Sequence, residues 1–198
     1  MTTTTAGDTH ATTGTDYSYA DFGRDFFEYA VTKERIEAAL SNLAGNAIDF
    51  GPRVTGPAGL ASIRAQGEIR RPSVARNDSD LVQFAVVIPI YLELVVRLAA
   101  HDHRFHAEMH AHLTLTALAR APLHVFVDVT APSEKDVEVK VEAHGLRASV
   151  LDVVANVDGE LRRYVARQIS KEIDKPKIRT MREIDVRKRI EGGSKSND

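Results

Sequence analysis

From Phe84 to Leu98 every even-numbered residue is apolar: Phe84, Val86, Ile88, Ile90, Leu92, Leu94, Val96 and Leu98. Successive side chains on a strand point to opposite faces, so a period of two predicts a strand with one unbroken apolar face. After a polar break at His101 and Asp102 the parity changes, and Phe105, Ala107, Met109, Ala111, Leu113, Leu115 and Ala117 alternate. Leu123, Val125, Val127 and Val129 repeat the pattern, followed by the turn-forming run Thr130–Asp136 and then Val137, Val139, Val141 and Ala143. Short connections make successive strands antiparallel, which predicts a four-strand ribbon with one buried face.

Pairing apolar with apolar residues across each hairpin sets the register to within two residues. Asp128 is then expected opposite His112 or Thr114, Glu93 near Glu108 or His110, and His124 opposite Glu142. The first strand is apolar on its second face too, at Ala85, Val87, Pro89, Tyr91 and Val95, so that face is either covered or a contact surface. Pro89 lacks a ladder donor, which suggests an edge position or a bulge. The first two strands are expected to be about fifteen residues long against a usual five or six, and strands of that length coil into a trough.

The chain before the ribbon is read as three parts. Met1–Thr15 is polar and Thr-rich, and is expected to be disordered. Asp16–Tyr29 is rich in aromatic residues (Tyr17, Tyr19, Phe22, Phe26, Phe27, Tyr29); it is expected to pack on the body by its rings, over the spare face of the first long strand, in preference to standing exposed as a partner-binding motif. Thr32 caps a helix carrying Ile36, Leu40, Leu43, Ala47 and Ile48, predicted to reach about Asp49. Gly51–Gly59 reads as a connector, Ile63–Ile69 as a fifth, weaker strand, and Arg71–Asp80 as a loop.

After Gly145 the period lengthens. Leu146, Val150, Val153, Val154, Val157, Leu161, Tyr164, Val165, Ile169 and Ile173 form one stripe of a long helix that Pro176 stops. Gly159 is a candidate kink. From Lys175 to Glu191 seven basic residues face three acids, a local charge of +4 that suits anionic lipid headgroups. Ile184 and Val186 suit a short strand or an extended clamp, and residues 191–198 are read as a disordered tail.

The length fits a single domain over residues 16–190, with room for a substantial core. A net charge of −2 excludes a chain-wide nucleic-acid footprint. The absence of cysteine excludes disulfides and thiolate metal sites, and agrees with a reducing cytoplasm. No secretory signal and no membrane-spanning run is read in the sequence. Phosphate loops, dinucleotide fingerprints and nucleophile elbows are absent. Seven of the eight histidines fall between His101 and His144. His110 and His112, two apart on one strand, together with Asp128 give a candidate two-histidine, one-carboxylate metal site.

The element order is a helix, a weak strand, four alternating strands, a long striped helix and a basic end. Over Thr32 to Ile190 it resembles the tubular lipid-binding proteins, in which a coiled antiparallel sheet wraps a long helix around an apolar groove. It is also similar to the helix-grip proteins of the START type. The resemblance implies an α+β fold, with a strongly coiled antiparallel sheet of about five strands packed on a long C-terminal helix and an N-terminal helix. It also implies a binder of a lipid or acyl chain rather than an enzyme, with no cofactor. Candidate lining residues are Ile88, Ile90, Leu92, Leu94, Met109, Leu113, Val127, Val139, Val150, Val154 and Leu161, each of which equally suits a filled core. Two other functions fit the sequence. One is an interaction protein that dimerises through Val87, Tyr91 and Val95. The other is a metal-dependent enzyme using His110, His112 and Asp128.

Overall fold

The computed structural model describes residues 16–55, 59, 61–98, 101–142 and 148–193. In chain order the elements are α1 Tyr19–Ala30, α2 Lys33–Leu40, β1 Ala47–Thr55, β2 Ala61–Ile69, β3 Ser73–Arg76, β4 Gln83–Leu98, β5 His101–Arg120, β6 His124–Thr130, β7 Val137–Glu142, α3 Ala148–Ile173, α4 Pro176–Met181, β8 Glu183–Asp185 and α5 Val186–Gly193. The fold is α+β, and the strands form one strongly curled antiparallel sheet along the path β1-β2-β4-β5-β6-β8. The tail read at Met1–Thr15 lies outside the described residues, as do residues 194–198; of the disordered tail expected over 191–198, Glu191–Gly193 instead finish helix α5.

The alternating stretch is the centre of the sheet. β4 has 16 residues and β5 has 20, and they pair from Gln83↔Thr116 to Leu98↔His101. Every even residue from Phe84 to Val96 and every odd residue from Phe105 to Ala117 is buried. Full burial of one such aliphatic side chain contributes about 1.5–3 kcal/mol, so this face dominates the stability of the sheet.

Eight strands form where about five were expected, because each neighbour of the central pair is interrupted. β2 pairs with β4 from Ile90 to Leu98, and β3 resumes the same row from Phe84 to Val87. The loop predicted for Arg71–Asp80 therefore contains a strand. Pro89 falls at the interruption: its carbonyl accepts from the Arg70 N–H at 2.8 Å, so its missing N–H also faces the gap. Pro89 thus sits in a central strand, where a break in the neighbour removes the need for a donor. On the other side β7 does not form a hairpin ladder with β6. It pairs with β5, placing His106↔Glu142 and His110↔Glu138. The expected His124–Glu142 pairing is corrected to His124↔Asp185, because β8 occupies that edge of β6.

The first half of the chain also departs from its periodicity. Thr32 does cap α2, accepting from the Arg35 N–H at 3.4 Å. The helix ends at Leu40, however, and a 3₁₀ turn follows over Ser41–Leu43. Gly45 takes φ 83°, a left-handed conformation that closes a helix end, and donates to the Ile69 carbonyl at 2.8 Å. Ala47 and Ile48 therefore enter β1, opposite Glu68 and Gly67, rather than a last helical turn. β1 is an edge strand and bulges between Phe50 and Arg53, which accommodates Pro52. α1 has no buried residue: Tyr19, Phe22 and Tyr29 stay exposed, as does Tyr17 just before it, and Phe26, Phe27 and Ala30 pack against the core. Its end leads into Val31 on the concave side of the sheet, not over the outer face of β4.

α3 runs 26 residues without interruption at Gly159. Val157, Leu161, Val165 and Ala166 are buried in the core, with Tyr164, Ile169 and Ile173 packed against it. It is the expected long helix but not the last element. Pro176 opens α4 at its first position, and the chain then returns as β8, which pairs with β6 over Glu183–Asp185. None of the described helices is long and apolar enough to cross a membrane.

Candidate functional site

The concave face of the sheet is unequally filled. Beside β7 and the adjoining part of β5, helix α3 packs closely: Leu161, Met109 and Val137 are fully buried. At the other end α3, α2 and the sheet stand apart, leaving a cavity of about 720 Å³. Val86, Ile88 and Ile90 of β4, Leu113 and Leu115 of β5, and Val127 and Val129 of β6 form its floor. Ile36 and Leu40 of α2 form one wall, and Tyr164, Val165, Ile169 and Ile173 of α3 the other. Ile178, Met181 and Ile184 close the C-terminal side. The β-strand period supplies the floor and the helical period the walls, so one apolar interior is assembled from both patterns.

Four of the residues singled out by the sequence, Ile88, Ile90, Leu113 and Val127, line this cavity. Leu92, Leu94, Met109 and Leu161 are instead packed core, each at most 1% exposed. Val139 packs against the core away from the cavity lining. The side chains of Val150 and Val154 lie outside the described residues. The stripe Ile36 and Leu40 of α2 is the expected N-terminal helix against the sheet, whereas α4 falls where a basic extended end was expected, so its part in the lining was not foreseen.

The charged residues lining the cavity are Arg35, Glu172, Lys175, Arg182 and Arg189. Lys175 Nζ is 2.6 Å from Glu172 Oε1. Arg35 Nη1 donates to the Tyr29 and Ala30 carbonyls at 3.2 and 2.7 Å and so ties down the end of α1. Arg182 lies against Phe126, with its guanidinium carbon 5.2 Å from the ring centre. Its Nε is buried and has no hydrogen-bond partner among the described residues. A buried donor left without an acceptor costs about 1–3 kcal/mol. Arg189 has no ion pair among the described residues.

The outer face does not assemble the candidate metal site. Asp128 is opposite Thr116, four positions along β5 from His112, because the β5–β6 ladder sits two residues from the expected register. Glu93 likewise falls opposite His106. His112 Nε2 is 3.5 Å from Glu138 Oε1, and His110 is opposite Glu138. Among the described residues no group of three potential ligands is placed to hold a metal ion. The spare apolar positions Val87, Tyr91 and Val95 are partly exposed. The Tyr91 ring stacks on His106, with its hydroxyl 2.8 Å from Nδ1.

At the far edge, His124 Nδ1 is 3.1 Å from Glu183 Oε1 and its Nε2 is 3.8 Å from Asp185 Oδ2. These contacts join β6 to β8 and hold the C-terminal segment beside the cavity. Asp185 also caps α5, accepting from the Lys188 N–H at 3.1 Å. That bond, with His124 and Lys188 nearby, holds the Asp185 carboxyl below the usual carboxylate range. A second hollow lies between α1 and the Arg76–Asp80 turn, but its lining residues, among them Arg24, Glu28 and Asp78, are polar or charged.

Comparison with protein-family models found no match, and comparison with curated proteins found none.

Proposed function

We propose that the protein binds an apolar molecule, a lipid or an acyl chain, in the cavity between the curled sheet, α2 and the C-terminal half of α3. The observation that carries this reading is the volume of about 720 Å³ bordered largely by aliphatic side chains from β4, β5, β6, α2 and α3. Ligand cavities fall at about 300–1,000 Å³ and are mostly apolar with a few polar groups, which is the character of this one. An apolar void of that size also forfeits dispersion contacts that a hydrocarbon ligand restores. The likeness to the tubular lipid-binding proteins belongs to this reading and rests on element order, strand length and the long helix. Binding rather than catalysis is the role, since the described lining is mainly apolar side chains.

Native mass spectrometry of freshly purified protein tests the proposal. An adduct of several hundred daltons, lost on denaturation and extractable into organic solvent, is expected. A clean apo mass, together with failure of the purified protein to take up any added acyl chain, would falsify it.

A further inference from the structure

We propose that the ligand is a single-chain anionic amphiphile whose carboxylate or phosphate head is held at the basic end of the cavity by Lys175, Arg182 and Arg189. This rests on the reading of the cavity as a ligand site and adds the chemistry of the ligand's head.

Three observations carry it. Among the described residues the cavity's charged lining is four cations (Arg35, Lys175, Arg182 and Arg189) and one acid, Glu172, in a chain whose net charge is −2. Three of those cations belong to one continuous stretch, from the end of α3 through α4 to α5, and that stretch is fixed beside the cavity by β8 pairing with β6. The Arg182 Nε is buried without an acceptor. Glu172 pairs with Lys175 at 2.6 Å and offsets that one cation, which leaves Arg182 and Arg189 in excess at this end.

An anionic oxygen in the cavity gains a charge-assisted partner in Arg182, which lines it, and its attraction to the cations is strengthened beside an apolar interior, where screening by water is weak. The hydrocarbon tail then lies along Ile88, Leu113 and Ile169. A cationic or neutral head gains none of this. The basic character of the Lys175–Arg189 segment is thereby given a use inside the site.

The test is competition against a neutral fluorescent probe, Nile red, bound to delipidated protein, using hexadecanoate, hexadecyl phosphate, hexadecanol and hexadecyltrimethylammonium below their aggregation limits. Hexadecanoate or hexadecyl phosphate is expected to displace the probe at about tenfold lower concentration than hexadecanol, the scale of one charge-assisted hydrogen bond, and the advantage shrinks at high salt. The variant Arg182→Gln with Arg189→Gln is expected to erase the advantage and keep hexadecanol binding, whereas Arg182→Lys retains part of it. Equal displacement by hexadecanoate, hexadecyl phosphate and hexadecanol overturns the head-group assignment and leaves the cavity reading standing. No binding of Nile red or of any chain overturns both. The wild-type comparison decides even if the double variant fails to fold.

Discussion

The Tyr164 hydroxyl donates a 2.7 Å hydrogen bond to the Asp49 carbonyl, 115 residues away in the chain. The Tyr164 ring meets Phe50 edge-on, with centroids 4.8 Å apart. One residue of α3 thus fastens the helix to the edge strand β1, and the same side chain lines the cavity. Tyr164→Phe keeps the ring contact and removes the hydrogen bond. It is expected to lower stability by about 0.5–1.5 kcal/mol, and Tyr164→Ala by more, both read from the urea midpoint. If Tyr164→Phe unfolds at the wild-type midpoint, the clasp contributes nothing.

Gly67 permits the close approach of β2 to β4. A Cβ at this position would collide with the Tyr91 carbonyl oxygen and sit 2.8 Å from its carbon. These are backbone atoms, so the obstruction cannot swing away as a side chain can. Gly67→Ala is expected to cost about 1–3 kcal/mol, the usual range for overpacking. A variant as stable as the wild type would mean that the two strands are free to separate there.

The division between cavity and packed core can be probed by adding volume on each side of it. Val127 lines the cavity, whereas Leu94 is 1% exposed in the packed core. Val127→Phe is expected to fill free space, to leave the unfolding midpoint within about 0.5 kcal/mol of wild type, and to abolish Nile red binding. Leu94→Phe is expected to cost about 1–3 kcal/mol and to leave probe binding in the surviving folded fraction. The reverse pattern would place the open volume elsewhere.

Asp185 gives the C-terminal segment a pH dependence. Its carboxyl lies below the ordinary carboxylate range, first through the Lys188 backbone N–H and then through the charges of His124 and Lys188. A carboxyl depressed on folding contributes stability above its unfolded value, and that contribution is lost as pH falls through the folded value. The stability gap between wild type and Asp185→Asn is therefore expected to be present at neutral pH and to close as the pH falls below the ordinary aspartate range. A gap that widens on acidification would contradict this assignment.

The parity of β4 and β5 and the stripe of α3 were legible in the sequence, because both are local periods imposed by the backbone. The even residues from Phe84 to Val96 and the odd residues from Phe105 to Ala117 are buried as that parity requires, and Val157, Leu161 and Val165 face the core. Partners were not legible. Alternation says which face a residue occupies, not which strand lies beside it, so β7 pairing with β5 and β8 with β6 had no signature. Ala47 and Ile48 carried a helical spacing, but Gly45 and the ladder to β2 drew them into a strand. The site was least legible of all. Ile88, which lines the cavity, and Leu94, which packs the core, are indistinguishable along one strand. Only the distance at which α2 and the end of α3 stand from the sheet separates a wall from a filled interior, and that distance is set by helices remote in sequence.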